Sequence, residues 1–214
     1  MGESGFDKEA PDKRKFDVVK SIVADFIKKR FDDNIGLVVF GTFAFTASPV
    51  TYDLKALEQI LGMVDVGIAG QNTAIGEGIA QAVRSLGFVH AREKMIILLT
   101  DGRHNSGSVS PASAVEQARR NGIKIYTIGI GKQGTFDAAL LKRIADETGG
   151  KMFAASGAEA LESVYEAIDR LEPSPLRSEE RINRKLLYPF ILLVAMFLFG
   201  AKILYDSSLS RRRL

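Results

Sequence analysis

The 214-residue chain has no cysteine and only two histidines, His90 and His104. The first absence excludes disulfides, thiolate metal sites and cysteine nucleophiles. The second argues against a zinc centre, because His104 has neither a thiolate nor a third ligand to join it. His90 reads as a surface residue ahead of a strand. No Gly-x-Ser-x-Gly elbow and no complete Walker loop occur, so two signatures of hydrolases and nucleotide-using enzymes are missing. No apolar core follows the first basic residues, so Met1 to Pro11 reads as a polar segment rather than a signal peptide or anchor. Internal repeats and low-complexity stretches are also absent.

A surplus of one charge is missing from most of the chain as well. The net charge of +3 comes from its end, where eight Lys/Arg face three Asp/Glu from Arg177 onward. Residues Met1 to Leu176 hold 21 basic and 23 acidic side chains. A mildly acidic globular part with a basic tail argues against nucleic acid and for membrane flanks.

What is present is organised around Lys94 to Gly102, K-M-I-I-L-L-T-D-G. The run Met95 to Leu99 is too short for a helix and does not alternate, which predicts a central parallel strand covered on both faces. Around it the pattern predicts a helix after Asp12, strands at Ile35 to Phe40 and Phe43 to Thr51 joined at Gly41-Thr42, and a helix from Asp53 to Met63. A helix over Ala74 to Leu86 precedes the core strand. A helix from Ser110-Pro111 follows it, then a strand over Lys124 to Ile130 and a helix opened by Thr135 and closed at Gly149-Gly150. A short strand at Lys151 to Ala154 and a helix behind a Ser156–Glu159 capping box complete the set. Strand and helix alternate with short loops, which predicts an α/β fold with a doubly wound, mostly parallel sheet and one antiparallel edge strand. The run Lys13-Arg14-Lys15 reads as the exposed face of the first helical turn.

Beyond the domain at 12–172, residues 173–185 read as a juxtamembrane linker. Leu186 to Ala201 holds sixteen residues without a charge. With Lys202 snorkelling, the stretch 186–205 extends about 30 Å as a helix, enough to span a bilayer. The basic tail 206–214, with Arg211 to Arg213, favours a cytoplasmic C-terminus and a globular domain on the outer, periplasmic face.

In open α/β sheets ligands bind beyond the carboxyl ends of the strands, where Asp101 falls. Thr73, in the polar loop before the third helix, offers a hydroxyl, and Arg103, His104 and Asn105 follow Asp101 as a candidate partner-binding rim. A carboxylate and a hydroxyl are hard oxygen donors suited to a magnesium ion that keeps waters and leaves a place for a partner's carboxylate. Thr73 also has the composition of a helix cap, and Asp101-Gly102 that of a turn.

Four segments, N-I-G-L-V-V-F-G (Asn34 to Gly41), Q-N-T-A-I-G-E-G-I (Gln71 to Ile79), I-I-L-L-T-D-G (Ile96 to Gly102) and G-I-K-I-Y-T-I-G-I-G (Gly122 to Gly131), resemble a von Willebrand factor type A domain. With A-D-E-T-G-G-K (Ala145 to Lys151) and the apolar segment near the C-terminus, they resemble its membrane-bound bacterial subgroup, Bat, for Bacteroides aerotolerance. The resemblance runs from Lys13 to Leu204. It implies a non-enzymatic interaction module with a metal-ion-dependent adhesion site, in which Thr73 and Asp101 would be the metal ligands. It also implies partners in a MoxR-type AAA ATPase system and among other membrane-bound von Willebrand A proteins. The family's first loop, Asp-x-Ser-x-Ser at the end of a first strand, has no counterpart here. The expectation is therefore a domain lacking its first strand, whose sheet is divided and whose magnesium binding is weak or absent.

Two other readings remain open on the residues alone. Gly129-Ile130-Gly131 with Gly134 has the spacing of a dinucleotide loop, which would make the chain an α/β enzyme using a nucleotide or hydrolysing a small substrate, although the unit lies late in the sheet. The other is a truncated remnant that binds nothing.

Overall fold

A computed structural model describes residues 1–174 except 90, 92 and 133. In chain order the elements are α1 (Lys15–Lys29), β1 (Ile35–Phe40), β2 (Ala44–Thr51), α2 (Leu54–Met63), α3 (Ile75–Gly87) and β3 (Lys94–Thr100). They continue with α4 (Pro111–Arg120), β4 (Ile123–Ile130), α5 (Ala138–Thr148), β5 (Met152–Ala155) and α6 (Ala158–Leu171). Two of the cap signals act as read. The Ser110 side chain accepts from Ser113 N–H at 3.2 Å with Pro111 at the first helical position, and Asp53 accepts from Ala56 N–H at 3.0 Å. Three do not. Helix α1 starts behind Arg14 instead of Asp12, α5 is capped by Asp137 instead of Thr135, and α6 follows Gly157 without a side-chain cap from Ser156. Before α1 and α5 the chain first completes a turn, Lys13 N–H donating to the Ala10 carbonyl and Thr135 N–H to the Lys132 carbonyl, so the polar residue falls outside the cap position. Before α6, extended Gly157 takes that position.

β3, β4 and β5 form a parallel sheet in that order, with Lys94 opposite Ile123 through Thr100 opposite Gly129. Inward positions alternate along it. Ile96, Leu98, Ile123 and Ile125 pack with Ile75, Ile79, Val115, Leu141 and Ile144 of α3, α4 and α5. Tyr126, Ile128 and Ile130 pack against α1 and α6 through Val18, Val19, Ile22, Leu161, Val164 and Ile168. Helices thus cover both faces, which is why β3 and β4 lack a polar alternation.

The sheet is divided, as expected. β1 and β2 make a separate antiparallel pair, and no described strand joins β1 to β3. The α3 helix bridges the two sheets instead, its cluster reaching both Phe40 of β1 and Ile96 and Leu98 of β3.

The opening residues, expected as a detached polar segment, are part of the domain. Ser4 bridges Arg14, Phe6 is 6% exposed within the α1–α6 cluster, and its carbonyl accepts from Ala158 N–H at 3.3 Å. One aromatic ring inserted between two helices outweighs the polarity of its neighbours, since full burial of such a side chain contributes about 1.5–3 kcal/mol. The apolar stretch 186–205 lies outside the described residues. Among the described ones no helix is long and apolar enough to cross a membrane.

Where α1 and α6 end, a polar cluster ties them together. Arg30 is 3% exposed, with Nη1 2.9 Å from Asp169 Oδ1 and donating to the Glu172 carbonyl at 2.6 Å. Its Nε lies 2.5 Å from Asp33 Oδ2 as a charge contact without hydrogen-bond geometry, and Ser174 Oγ donates to the same carboxylate at 3.0 Å. Removing one partner of a buried pair leaves the others uncompensated. Arg30→Met is therefore expected to lower unfolding free energy by about 3 kcal/mol in urea denaturation. A loss below about 1 kcal/mol would mean that water already screens the cluster.

Candidate functional site

The carboxyl ends of β1 and β3 meet at one face. After β1 the Gly41 carbonyl accepts from Ala74 N–H at 2.7 Å, and Thr42 N–H donates to the Ala69 carbonyl at 2.7 Å. The approach is close enough that a Cβ at Gly41 would lie 2.6 Å from the Ala69 oxygen. Gly70, at φ +88°, leaves room for Thr42, whose hydroxyl accepts from Asn72 N–H at 3.3 Å. These contacts hold the 70–73 loop against the end of β1.

After β3, buried Thr100 turns the chain by accepting from Gly102 N–H at 3.2 Å. The turn brings Gly102 under Thr73, whose Oγ1 would be 2.7 Å from a Cβ at that position. Asn105 closes the junction: its side-chain oxygen accepts from Thr73 N–H at 2.8 Å and its own N–H donates to the Thr73 carbonyl at 3.1 Å. The structure therefore brings Thr73, Asp101 and Asn105 together, with Asn105 clamping the two loops to each other.

Arg103 and His104 point elsewhere. Arg103 is exposed and donates to the Gly134 carbonyl at 3.0 Å, bracing the loop after β4. His104 is half-buried with its Nδ1 shielded and without a partner. It lines an open pocket of about 520 Å³ with Pro111, Asp137, Ala139, Leu140 and Arg143, a lining that does not include Asp101.

Glu77 of α3 organises the remainder of the face. Its Oε1 accepts from Ser108 Oγ at 2.8 Å, Ser108 N–H at 3.0 Å and Val109 N–H at 3.2 Å. The Ser108 hydroxyl, then the two backbone donors, hold its carboxyl below the usual value of 4.5. Gly76, one residue before it, packs so tightly that a Cβ would fall 2.0 Å from the Val109 oxygen.

Asp101 itself is paired. Its Oδ2 contacts the amino group of Met1 and lies 3.4 Å from Lys15 Nζ, which in turn lies 3.1 Å from Glu3 Oε2. Lys15 is 7% exposed, so the reading of Lys13-Arg14-Lys15 as an exposed run fails at its last member. Its stem runs inward from the first turn of α1, and the charge needs a counter-charge there.

Hard oxygen donors of the magnesium-binding kind are present in Thr73 and Asp101, yet their number is short. Among the described residues no group of three or more His, Cys, Asp or Glu side chains is gathered as a metal cage, and ammonium groups already neutralise Asp101. A magnesium ion does not fit this arrangement as it stands.

The glycines of the nucleotide-type spacing have packing roles. A Cβ at Gly129 would lie 2.4 Å from the Phe136 ring, and Gly131 and Gly134 take φ values of +115° and +98° that other residues avoid.

A parallel α/β sheet covered by helices on both faces, with a polar face at the strand carboxyl ends, defines the class. Residues 9–167 match the von Willebrand factor type A domain, and the chain belongs to that family. An uncharacterized protein of Borreliella burgdorferi is 27% identical, the match covering 90% of this chain and 64% of that protein. The chain thus spans less than two thirds of that relative, and about half of several mycobacterial ones. Among solved structures, BatB from Bacteroides thetaiotaomicron is similar over 79% of this chain and 92% of its own, with 21% identity and a TM-score of 0.64. Proximal thread matrix protein 1 of the mussel byssus, with a zinc-occupied MIDAS motif, is 25% identical over 79% of this chain and 43% of its own, with a TM-score of 0.60.

Lys15, Glu77 and Ser108 are the site residues that sequence reasoning misses. The partners of Lys15 and Glu77 lie 86 and 31 residues away, and no local pattern announces them. Because Glu77 titrates lower folded than unfolded, its contribution is complete above pH 4.5 and disappears as pH falls through the lowered folded value. Glu77→Ala should speed hydrogen exchange at the Ser108 and Val109 amides about tenfold at neutral pH, matching one lost charge-assisted bond of about 1.4 kcal/mol. Between pH 5 and 3 the unaltered protein should lose more stability than the variant. Equal losses would remove the carboxylate from this role.

Proposed function

We propose that this chain is a membrane-anchored von Willebrand A-type interaction module of the Bat kind, presenting the Thr73–Asp101 face to a protein partner. The observation that carries this is the convergence of Thr73, Asp101 and Asn105 where β1 and β3 end. The partner is another membrane-bound A-domain protein, within a system that includes a MoxR-type AAA ATPase. Residues 186–205 serve as the anchor, with the domain on the outer face. Arg103, exposed at the rim, and His104, beside the open pocket, contribute to recognition.

β1 and β3 each keep one edge without a strand partner among the described residues, and both end at the same face. A strand ending in Asp-x-Ser-x-Ser between them would pair both edges and supply the aspartate and two hydroxyls that a magnesium site lacks. Thr73 and Asp101 by themselves would hold magnesium no tighter than about millimolar.

Two measurements test the reading. The full chain should stay with membranes through carbonate extraction, whereas a chain ending at Glu172 should be released; release of both overturns the anchor. A photo-cross-linker at Arg103 in cells should capture a membrane-bound A-domain protein, and one at the remote, exposed Lys142 should not. Equal capture from both positions overturns the face.

Adding a strand that ends in Asp-x-Ser-x-Ser ahead of Met1 should raise the unfolding midpoint and make it magnesium-dependent. Thr73→Ala should then remove only the magnesium dependence. A chain that gains neither property overturns the missing-strand reading.

A further inference from the structure

The open pocket is lined by His104 after β3, by Pro111 at the start of α4, and by Asp137, Ala139, Leu140 and Arg143 around the start of α5. Ala139 and Leu140 stand four and three residues before Arg143, so the three share one side of α5. Leu140 packs against the core beneath α3, α4 and α5, which fixes that side toward the pocket and leaves Arg143 exposed on it. Two side chains of this lining have unused donors. Arg119 and Arg120 of α4 pair with Glu116, and Lys142 of α5 pairs with Asp146. Arg143 has no ion pair or hydrogen bond among the described residues. His104 is half-buried, and its Nδ1 is shielded without a partner. A proton there would be a buried donor with no acceptor, so the ring carries it on Nε2, the nitrogen that solvent reaches. Asp137 is the one carboxylate of the described lining, and it is committed. Its Oδ1 accepts from Leu140 N–H at 3.0 Å, and its charge stands at the positive end of the α5 dipole.

We propose that this pocket receives an acidic side chain of the partner protein, an Asp or Glu that stands next to an apolar residue. Arg143 and His104 Nε2 are its donors, and Pro111, Ala139 and Leu140 form the apolar floor. A guanidinium fork matches the two oxygens of a carboxylate, and neither donor has an acceptor of its own. A volume of about 520 Å³ holds more than the carboxylate alone. A small free acid would fill the polar corner and leave the floor wet, whereas an acidic peptide covers both. The proposal deepens the reading of the chain as an interaction module and rests on it.

The test uses the full chain in detergent and fluorescein-labelled Gly/Ser decapeptides with Leu-Glu-Leu or Leu-Gln-Leu at their centre. Fluorescence polarisation should show about tenfold tighter binding of the Glu peptide, the effect of one charge-assisted contact. Arg143→Gln should remove that preference, and Arg143→Lys should keep part of it, since the charge stays and the fork goes. His104→Gln, whose amide can donate in place of Nε2, should bind the Glu peptide better than His104→Leu. Asp137→Asn keeps an oxygen to cap α5 and removes a repelling charge, so it should tighten the Glu peptide. The Arg143 variants should keep the urea midpoint of the unaltered chain, because the side chain is exposed and unpaired. No binding of the Glu peptide, or a preference that survives Arg143→Gln, overturns the proposal. Displacement of the peptide by sodium acetate at the peptide's own half-saturating concentration makes this a small-anion site and overturns the partner assignment. Failure of the partner-facing reading is separate, because it would remove the Arg103 cross-link and leave the peptide preference intact.

Discussion

The structure depends on the burial of β4. Six of its eight residues from Ile125 onward have almost no exposure, and each face carries its own helical layer. A strand with no wet side must be covered twice and paired along both edges. β3 and β5 provide the edges, α3 to α5 one cover, and α1 with α6 the other. This fixes where β3 ends and so where Asp101 is presented. Even Thr127, fully buried on this strand, is accommodated by donating to the Leu141 carbonyl at 3.0 Å.

The second constraint is the division of the sheet. With β1 and β2 apart from β3, β4 and β5, the two halves are joined through α3 and through loops at the ligand face. The contacts there are polar and short: Gly41 to Ala74, Thr73 to Asn105, Glu77 to Ser108 and Val109. The same residues that shape the candidate site therefore hold the halves of the domain in register. Loop order and the geometry of this face are therefore one property.

The charges follow from that placement. A carboxylate set beyond a strand end, where backbone and helix leave little water, needs a cation. Lys15 and the Met1 amino group provide it in this chain. At the opposite end of α1, Arg30 gathers two carboxylates and a carbonyl where α1 meets α6. Both ends of one helix are thus secured by basic side chains turned inward, while the hydrophobic stripe between them packs on β4.

By itself the sequence determined the element order, the parallel core strand and the position of Asp101 at its end. Those are local properties: an apolar run without alternation, Ser110-Pro111 at a helix start, Gly149 at a helix end with φ +76°. Its four strand and loop segments between Asn34 and Gly131 also carried the family resemblance. Only the tertiary structure decided that Phe6 belongs to the core and that Asn105 is a clamp. It alone turned Lys15 inward to Asp101 and aimed Glu77 at the loop after β3. Each of these depends on a contact between residues far apart in the chain, and periodicity records which side of an element is apolar but not which charge lies across from it.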